Sequence, residues 1–194
     1  MTLVLATANP HKTEEIRALL HSLDIEVLAR PAELPDVEET CNTLEGNALM
    51  KATAIASATG LAALADDTGL FVDALGGRPG VMSARYAGAG ASYEDNVRKL
   101  LDELEGVPAP ARSAHFRTVM VVAYANGEHF RVEGVLDGVI ADAPRGKGGF
   151  GYDPVFIVDP VSQRTLAELS LEEKNLISHR GAALRALVEA LVRR

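Results

Sequence analysis

The sequence predicts an α/β domain built around a mixed β-sheet. Over the first third of the chain, short apolar runs with strand character alternate with stretches of helical periodicity. Further along, the apolar run 119–125 ends at Asn126-Gly127, a strong signal for a two-residue hairpin turn. Because strand–helix alternation favours parallel pairing and a hairpin is antiparallel, we expect a central mixed sheet with flanking helices.

The helices follow from capping residues and apolar spacing. Asn9-Pro10 supplies an N-cap followed by proline at the first helical position, and apolar residues recur behind it at helical spacing. A second helix is expected from residue 42 or 43 to Gly60, a third from about Ser92, and a final one from about Lys174.

The remaining apolar runs predict strands. They lie at residues 3–6, 26–29, 61–65, 70–74 and 119–125, and a return strand begins at Phe130. A turn at 66–69 separates the third and fourth runs. Within the return strand, the apolar phase shifts at Gly134, which indicates a bulge. The proline-containing stretch 106–112 reads as a linker or lobe boundary.

Composition indicates one ordinary globular domain over residues 1–194. Hydrophobic residues make up 47% and charged residues 24%, and the formal net charge of −8 argues against a nucleic-acid-binding surface. The single cysteine, Cys41, allows no internal disulfide and favours a reducing compartment. Neither a signal peptide nor a run long enough to span a membrane is evident, so we expect a cytoplasmic protein without membrane contact.

The segment from Thr7 to Lys12 is the first candidate for substrate binding. A strand that enters a helix through a polar turn offers backbone N–H groups and the positive end of the helix dipole to an anion. Lys12 would add a point charge for a phosphate. The same residues also fit a capped helix with a solvated lysine, and this segment alone does not separate the two interpretations.

Asp66 and Asp67 are the second candidate. A buried run stops at these two adjacent carboxylates, and their repulsion calls for a compensating cation. Carboxylate oxygens bind Mg²⁺, which can orient a water molecule for attack, although Asp-Thr-Gly is also ordinary turn chemistry. The acidic group 36–40, ahead of the helix that carries Lys51, either completes a metal site or complements the helix dipole.

The glycine-rich loop 143–154 is the third candidate. Its glycines satisfy G-x-G-x-x-G, yet the loop leads into another apolar run rather than a helix, which excludes a dinucleotide-binding turn. A glycine-rich loop with two exposed aromatics, Phe150 and Tyr152, suits stacking on a planar base. The alternative is a hairpin loop whose aromatics pack into the core.

Residues 174–180 contain the last candidate. The sequence has no matched Ser/His/Asp or Cys/His arrangement and no zinc-ligand spacing. Arg180 is a donor-only guanidinium that matches the keto oxygens and ring nitrogens of a purine edge.

Taken together and in this order, these segments resemble the inosine triphosphate pyrophosphatase family, which removes nonstandard purine nucleotides. The matching stretches are residues 7–12, 43–52, 65–70, 75–80, 83–86, 148–154, 173–175 and 178–180. Their joint order and spacing are specific and span nearly the whole chain. Gly46 stands where the family frequently has glutamate.

The resemblance implies an elongated, two-lobed fold with the active-site cleft between the lobes, a homodimer, and Mg²⁺-dependent cleavage of ITP, dITP or XTP to the monophosphate and pyrophosphate. Asp67 would be the base, and Glu39 and Asp67 the metal ligands. The implied substrate-binding residues are Thr7, Ala8, Asn9, His11, Lys12, Lys51, Thr68, Phe150, Gly151, Tyr152, Asp153, Lys174, His179 and Arg180. The alternatives are a Maf-type nucleotide pyrophosphatase and a catalytically silent nucleotide-binding dimer.

Overall fold

Seven strands and five α-helices make up the part of the chain that the computed structural model describes, namely residues 2–7, 9–20, 25–158 and 162–193. The strands are β1 (Thr2–Leu5), β2 (Glu26–Leu28), β3 (Ala62–Val72), β4 (Arg78–Gly80), β5 (Ser113–Ala123), β6 (His129–Ile140) and β7 (Phe156–Ile157). The helices are α1 (Pro10–Leu20), α2 (Leu44–Thr59), α3 (Tyr93–Glu103), α4 (Leu171–Ile177) and α5 (His179–Val192).

The strands form one mixed sheet, as the sequence predicts. Its order is β2-β1-β3-β5-β6-β7, with β4 paired to β3. Strand β1 runs parallel to both β2 and β3, whereas β4 is antiparallel to β3 and β7 is antiparallel to β6. Helix α1 connects β1 to β2, and helix α2 connects β2 to β3, as expected for parallel strands, which need crossover connections.

The predicted helix ends are confirmed by their capping contacts. The Thr43 side chain accepts a hydrogen bond from the backbone N–H of Gly46 at the start of α2, and Gly60 ends that helix with φ at 70°. At α3, Ser92 and Asp95 form a capping box. These ends are local chemistry, which explains why spacing and cap residues were sufficient to place them.

The chain divides into two compact units, each with its own apolar core. The first unit comprises residues 1–67, 118–134 and 180–194, and the second comprises residues 68–117 and 135–179. The core of the first unit contains Leu3, Leu5, Ile16, Leu20, Leu64, Met120, Val122, Leu184 and Leu187. The core of the second contains Leu70, Val72, Val97, Leu100, Leu104, Phe116, Ile140, Tyr152 and Phe156. The stretch 106–112 lies within the second unit.

The predicted turn at 66–69 is wrong. Strand β3 runs without interruption from Ala62 to Val72, and Asp66 and Asp67 lie inside it with 1% and 6% of their surface exposed. Two adjacent carboxylates remain in a buried strand because cations from distant parts of the chain neutralise them, as described below. Sequence spacing does not reveal those partners.

The phase shift predicted at Gly134 is also wrong. Along β6 the even-numbered residues face inward throughout, so Gly134 is buried and Val135 is 45% exposed. Gly134 simply occupies an inward position without a side chain. The apolar Val135 lies on the outer face, and single exposed apolar residues of this kind are common in folded proteins.

The final helix is two helices rather than one. Helix α4 ends at Ile177, and Ser178 adopts an extended conformation with φ −67° and ψ 156° before α5 begins at His179. Lys174 and Arg180 therefore lie on different helices. None of the helices in the described ranges is long and apolar enough to cross a bilayer.

Candidate active site

Lys51 brings two acidic side chains together in the first unit. Its Nζ atom lies 2.7 Å from Glu39 Oε1 and 3.3 Å from Asp67 Oδ1, and it also donates to the backbone carbonyl of Asp66 at 2.9 Å. Helix α2 carries the lysine, β3 carries Asp67, and Glu39 lies on the segment before α2. The predicted grouping of Glu39, Lys51 and Asp67 is therefore present in the fold.

Asn47 belongs to the same cluster, although the sequence analysis did not select it. Its Nδ2 donates to Asp67 Oδ2 at 3.2 Å, and its Oδ1 accepts from the backbone N–H of Cys41 at 3.0 Å. Asn47 and Lys51 are four residues apart on α2 and so share one helix face. That spacing was the signal that would have identified Asn47.

Burial and charge act in different directions on the members of this cluster. Burial raises the pKa of Asp67 above its ordinary value, because desolvation outweighs the attraction of Lys51. For Lys51, burial alone would lower the pKa, but the carboxylates of Asp67, Asp66 and Glu39 outweigh it and the pKa is raised. Asp67 is thus a more basic carboxylate than usual, beside a firmly charged lysine.

The donors around Asp67 fit a magnesium ion. Glu39 and Asp67 place two carboxylates around one cationic group, Lys51 Nζ. Within the described residues no three His, Cys, Asp or Glu side chains form a ready-made metal cage. Mg²⁺ commonly uses one or two carboxylates and completes its octahedral shell with water and substrate phosphates, which this arrangement allows.

Gly46 contributes no acidic group to this site, and the local packing explains why. A Cβ atom at Gly46 would lie 2.7 Å from Cys41 Cβ and 2.9 Å from Cys41 Sγ. Any larger side chain at position 46 would therefore require Cys41 to move.

Asp66 faces a different set of partners from Asp67, as alternation along a strand requires. Its Oδ2 lies 3.1 Å from Lys12 Nζ and accepts from Arg180 Nη2 at 3.1 Å. The second guanidinium nitrogen, Arg180 Nη1, pairs with Glu15. Burial alone would raise the pKa of Asp66, but Lys12 and Arg180 outweigh it and hold that pKa well below its ordinary value.

Arg180 therefore does not occupy the open, base-facing position that the sequence analysis expected. The residue is 2% exposed, and its Nε and Nη2 donate to Asp66 while Nη1 donates to Glu15. Glu15, also buried, was missed by the sequence analysis, since nothing in its helical position marks it as an inward-facing carboxylate. A substrate contact for Arg180 stays a prediction.

The helix start at residues 9–12 is capped by its own side chain. Asn9 Oδ1 accepts from the backbone N–H groups of His11 and Lys12 at 3.0 and 3.4 Å, and Thr7 Oγ1 accepts from Asn9 N–H at 3.2 Å. These two helical N–H groups, which were expected to bind a phosphate, already donate to the Asn9 side chain. His11 is exposed, and Ala8 lies outside the described residues.

The second unit contains a buried ion pair beneath the glycine-rich loop. Asp153 Oδ2 lies 2.7 Å from Lys174 Nζ and accepts from the backbone N–H of Phe150 at 2.8 Å. Both charged side chains are 5% exposed. Lys174 Nζ also lies 4.9 Å from the centre of the Phe150 ring, which itself contacts Tyr93. The pair fixes the loop and sets a cation against the face of an aromatic ring.

Tyr152 packs into the core, which is the second of the two positions that the sequence allows for the loop aromatics. It is 5% exposed, belongs to the core of the second unit, and donates its hydroxyl to the backbone carbonyl of Ser83 at 2.9 Å. His179 is likewise buried, with its ring 4.7 Å from that of Phe116. Three of the predicted substrate-binding residues are more accessible because they are only half-buried. They are Thr68, Phe150 and Gly151.

The packing of Gly149 against Asp153 yields a stability prediction. Gly149 has φ at 69°, and a Cβ atom there would lie 2.0 Å from Asp153 Oδ2. Gly151 has nearly the same backbone conformation, φ 64°, with open space around its Cα. Both alanine variants carry the cost of a left-handed alanine, but only Gly149→Ala must also displace Asp153.

We expect Gly149→Ala to lose about 1–3 kcal/mol more unfolding free energy than Gly151→Ala in urea titrations, since overpacking costs about that much. Gly151→Ala serves as the matched control for backbone strain. Equal losses in the two variants would contradict the close contact between Gly149 and Asp153.

The chain belongs to the Ham1 family, which it matches over residues 3–190. It is 51% identical to a dITP/XTP pyrophosphatase of Thermoanaerobacter pseudethanolicus, across 100% of this chain and 98% of that protein. It is 51% identical to a dITP/XTP pyrophosphatase of Geobacter sulfurreducens, across 97% of this chain and 96% of that one. The family resemblance drawn from the sequence is confirmed.

The fold class is confirmed by a solved structure. A HAM1 protein from Coxiella burnetii shares 45% sequence identity with this chain and superposes with a TM-score of 0.91, with 100% of both chains covered. The mixed sheet with flanking helices is therefore the fold of this family.

Proposed function

We propose that this chain is a Mg²⁺-dependent nucleoside triphosphate pyrophosphatase that converts ITP, dITP and XTP to the monophosphate and pyrophosphate. The observation that carries the proposal is the cluster of Glu39, Lys51 and Asp67 in the first unit, in a chain about half identical to proteins named dITP/XTP pyrophosphatases over their full length. Removal of nonstandard purine nucleotides from the nucleotide pool would be the biological result.

In the proposed reaction, a water molecule attacks the α-phosphorus. A bond forms between the water oxygen and the α-phosphorus, the bond from that phosphorus to the bridging oxygen breaks, and the electron pair leaves on pyrophosphate. The proton of the water passes to a carboxylate oxygen of Asp67, whose raised pKa suits a general base.

Positive charge near the phosphates provides the second part of the mechanism. Lys51 and Lys12 would bind phosphate oxygens and neutralise charge that builds up during bond cleavage. Mg²⁺, held by Glu39 and Asp67, would supply further charge neutralisation and help to orient the triphosphate. The remaining residues of the segment 7–12 are proposed to line the phosphate site.

Phe150 and Lys174 are proposed to recognise the base. Phe150 offers a half-buried ring for stacking, and Lys174 brings a donor-only ammonium next to that ring. A 6-keto oxygen accepts from such a donor, whereas the 6-amino group of adenine does not, and the mismatch is costly in a dry site. Thr68, Gly151, Asp153 and His179 are proposed to support the same substrate.

The proposal is tested by pyrophosphate release from ITP, dITP, XTP, GTP, ATP and dTTP, each with and without Mg²⁺. We expect Mg²⁺-dependent turnover that is highest for the first three, with kcat/KM at least about tenfold above that for ATP, because a mismatched buried donor costs about 1–3 kcal/mol. Each reaction product is identified as monophosphate plus pyrophosphate, rather than diphosphate plus phosphate.

Two outcomes would contradict the proposal in different ways. Preference for dTTP would favour a Maf-type pyrophosphatase, and no turnover of any nucleotide would favour a protein that binds nucleotides without hydrolysing them. We further propose that the protein is a homodimer located in the cytoplasm. Sedimentation velocity tests the dimer, and a monomer would contradict it; cell fractionation tests the location.

A further inference from the structure

Four charged side chains of the first unit form a buried charge network, namely Lys12 and Glu15 on α1, Asp66 on β3 and Arg180 on α5. Their side chains are 15%, 5%, 0% and 2% exposed, in that order. Two carboxylates balance two cations, so the network as a whole is neutral. Neutrality matters because an unpaired charge is very costly at such depth.

We propose that Asp66 is a positioning residue whose function is to hold the phosphate-binding ammonium of Lys12 in place. This inference rests on the proposed function. The lysine side chain has four rotatable methylene links and does not define the place of its ammonium by itself. Asp66 Oδ2, at 3.1 Å from Lys12 Nζ, provides the fixed point. An ammonium has three donors, so two can still reach phosphate oxygens.

The fixed point is itself rigid for a structural reason. Asp66 lies in the middle of β3 and is completely buried, and its Oδ2 also accepts from Arg180 Nε and Nη2 at 3.3 and 3.1 Å. Glu15 holds the other end of the guanidinium through Nη1. Glu15 lies three residues after Lys12, so both project from one face of α1. The network thus joins α1, β3 and α5 around Asp66.

The position of Asp66 in the chain links phosphate binding to the chemical step. Asp66 directly precedes Asp67, so one strand fixes both the cation for the phosphates and the proposed base. Reaction rates depend steeply on such relative placement, since a misplacement of about 1 Å can cost about a hundredfold. The two neighbouring carboxylates therefore have different roles: Asp66 positions Lys12, and Asp67 accepts the proton of the attacking water.

A double-mutant cycle with Lys12→Gln and Asp66→Asn tests this role. The binding probe is inorganic triphosphate, titrated calorimetrically in the presence of Mg²⁺, because its binding requires neither a base pocket nor turnover. If Asp66 acts through Lys12, each single substitution raises Kd by about tenfold, the amount typical for losing one charge-assisted hydrogen bond. The Kd of the double variant for triphosphate should then lie within about twofold of the Kd of Lys12→Gln alone.

Charge balance favours folding of the double variant over folding of Asp66→Asn alone. Asp66→Asn alone leaves the buried network with a net positive charge and is expected to unfold at lower temperature, whereas the double variant removes one charge of each sign. Comparison of Lys12→Gln with the double variant can still overturn the inference if Asp66→Asn does not fold, whereas support for it requires the loss of binding in Asp66→Asn alone. Glu14→Gln, at an exposed position on α1, is the control for surface charge and should bind triphosphate like the wild type.

Other outcomes would overturn the inference. A further tenfold loss on adding Asp66→Asn to Lys12→Gln would mean that Asp66 contacts the ligand or metal itself. If Lys12→Gln and the double variant needed different Mg²⁺ concentrations for half-maximal triphosphate binding, Asp66 would act on the metal instead of on Lys12. Failure of the proposed function would show separately, as an absence of ITP turnover by the wild-type protein. The double-mutant cycle would still test the role of Asp66, because it measures triphosphate binding and not turnover.

Discussion

Replacement of Asp67 by asparagine is expected to reduce pyrophosphate release from ITP by a factor of about a thousand, while nucleotide binding changes little. An amide has the shape of the carboxylate and keeps one oxygen that can accept from Lys51, but its nitrogen is a donor that cannot accept from Asn47, and the amide cannot take a proton from water. General bases contribute about 10²–10⁴-fold to rates, and Asp67 is also a proposed metal ligand. Quenched single-turnover assays give the rate, and isothermal titration calorimetry of the Asp67→Asn variant with ITP gives its affinity.

The control for this variant is Asp137→Asn. Asp137 lies at an exposed position on β6, so the same chemical change there should leave turnover and stability as in the wild type. If Asp67→Asn released pyrophosphate at the wild-type rate, the assignment of the base would be wrong. If it lost ITP binding as well as turnover, Asp67 would serve mainly to bind the metal and phosphates.

Replacement of Lys174 by methionine is expected to cost about 3–5 kcal/mol of unfolding free energy. The substitution keeps an unbranched side chain of similar length but leaves the carboxylate of Asp153 buried without its ion-pair partner at 2.7 Å. Removal of one member of a buried pair typically costs that amount. For a chain of this size, each kcal/mol lowers Tm by about 2–4 °C, so the loss is measurable by calorimetry.

Two further variants separate charge from packing. Lys147→Met, at an exposed position in the glycine-rich loop that contains Asp153, should change the unfolding free energy by less than about 0.5 kcal/mol. Adding Asp153→Asn to Lys174→Met should restore part of the stability, because the unpaired charge is then removed. A double variant less stable than Lys174→Met alone would contradict the view that the unpaired carboxylate causes the loss.

Much of the fold could be predicted from the sequence because its signals are local. Helix α2 lies between its caps Thr43 and Gly60, and Ser92 caps α3, each through contacts with residues a few positions away. Asn126-Gly127 lies in the loop between β5 and β6 as predicted, but that loop spans the three residues 125–127 rather than two. Local signals failed where a long-range partner reversed them. At Asp66-Asp67, turn chemistry predicted a break, but buried cations kept both residues in β3.

The candidate site shows the same division. Glu39, Lys51 and Asp67, which the family resemblance implies for the site, lie together in the first unit, and their roles stay a prediction. Tyr152 and Arg180 were also selected, but their environments were not predicted. A tyrosine in a glycine-rich loop looks exposed in sequence, and only the core of the second unit shows where its hydroxyl finds an acceptor.

Asp66-Asp67 show most clearly where sequence information ends. The sequence by itself determined that two adjacent carboxylates follow a buried run and that a compensating cation is needed, since like charges repel at that distance. Only the tertiary structure decided which cations serve which carboxylate. Lys12 and Arg180 reach Asp66, and Lys51 reaches Asp67. The reason is physical: side chains alternate across a strand, and the partners on each face come from helices distant in sequence.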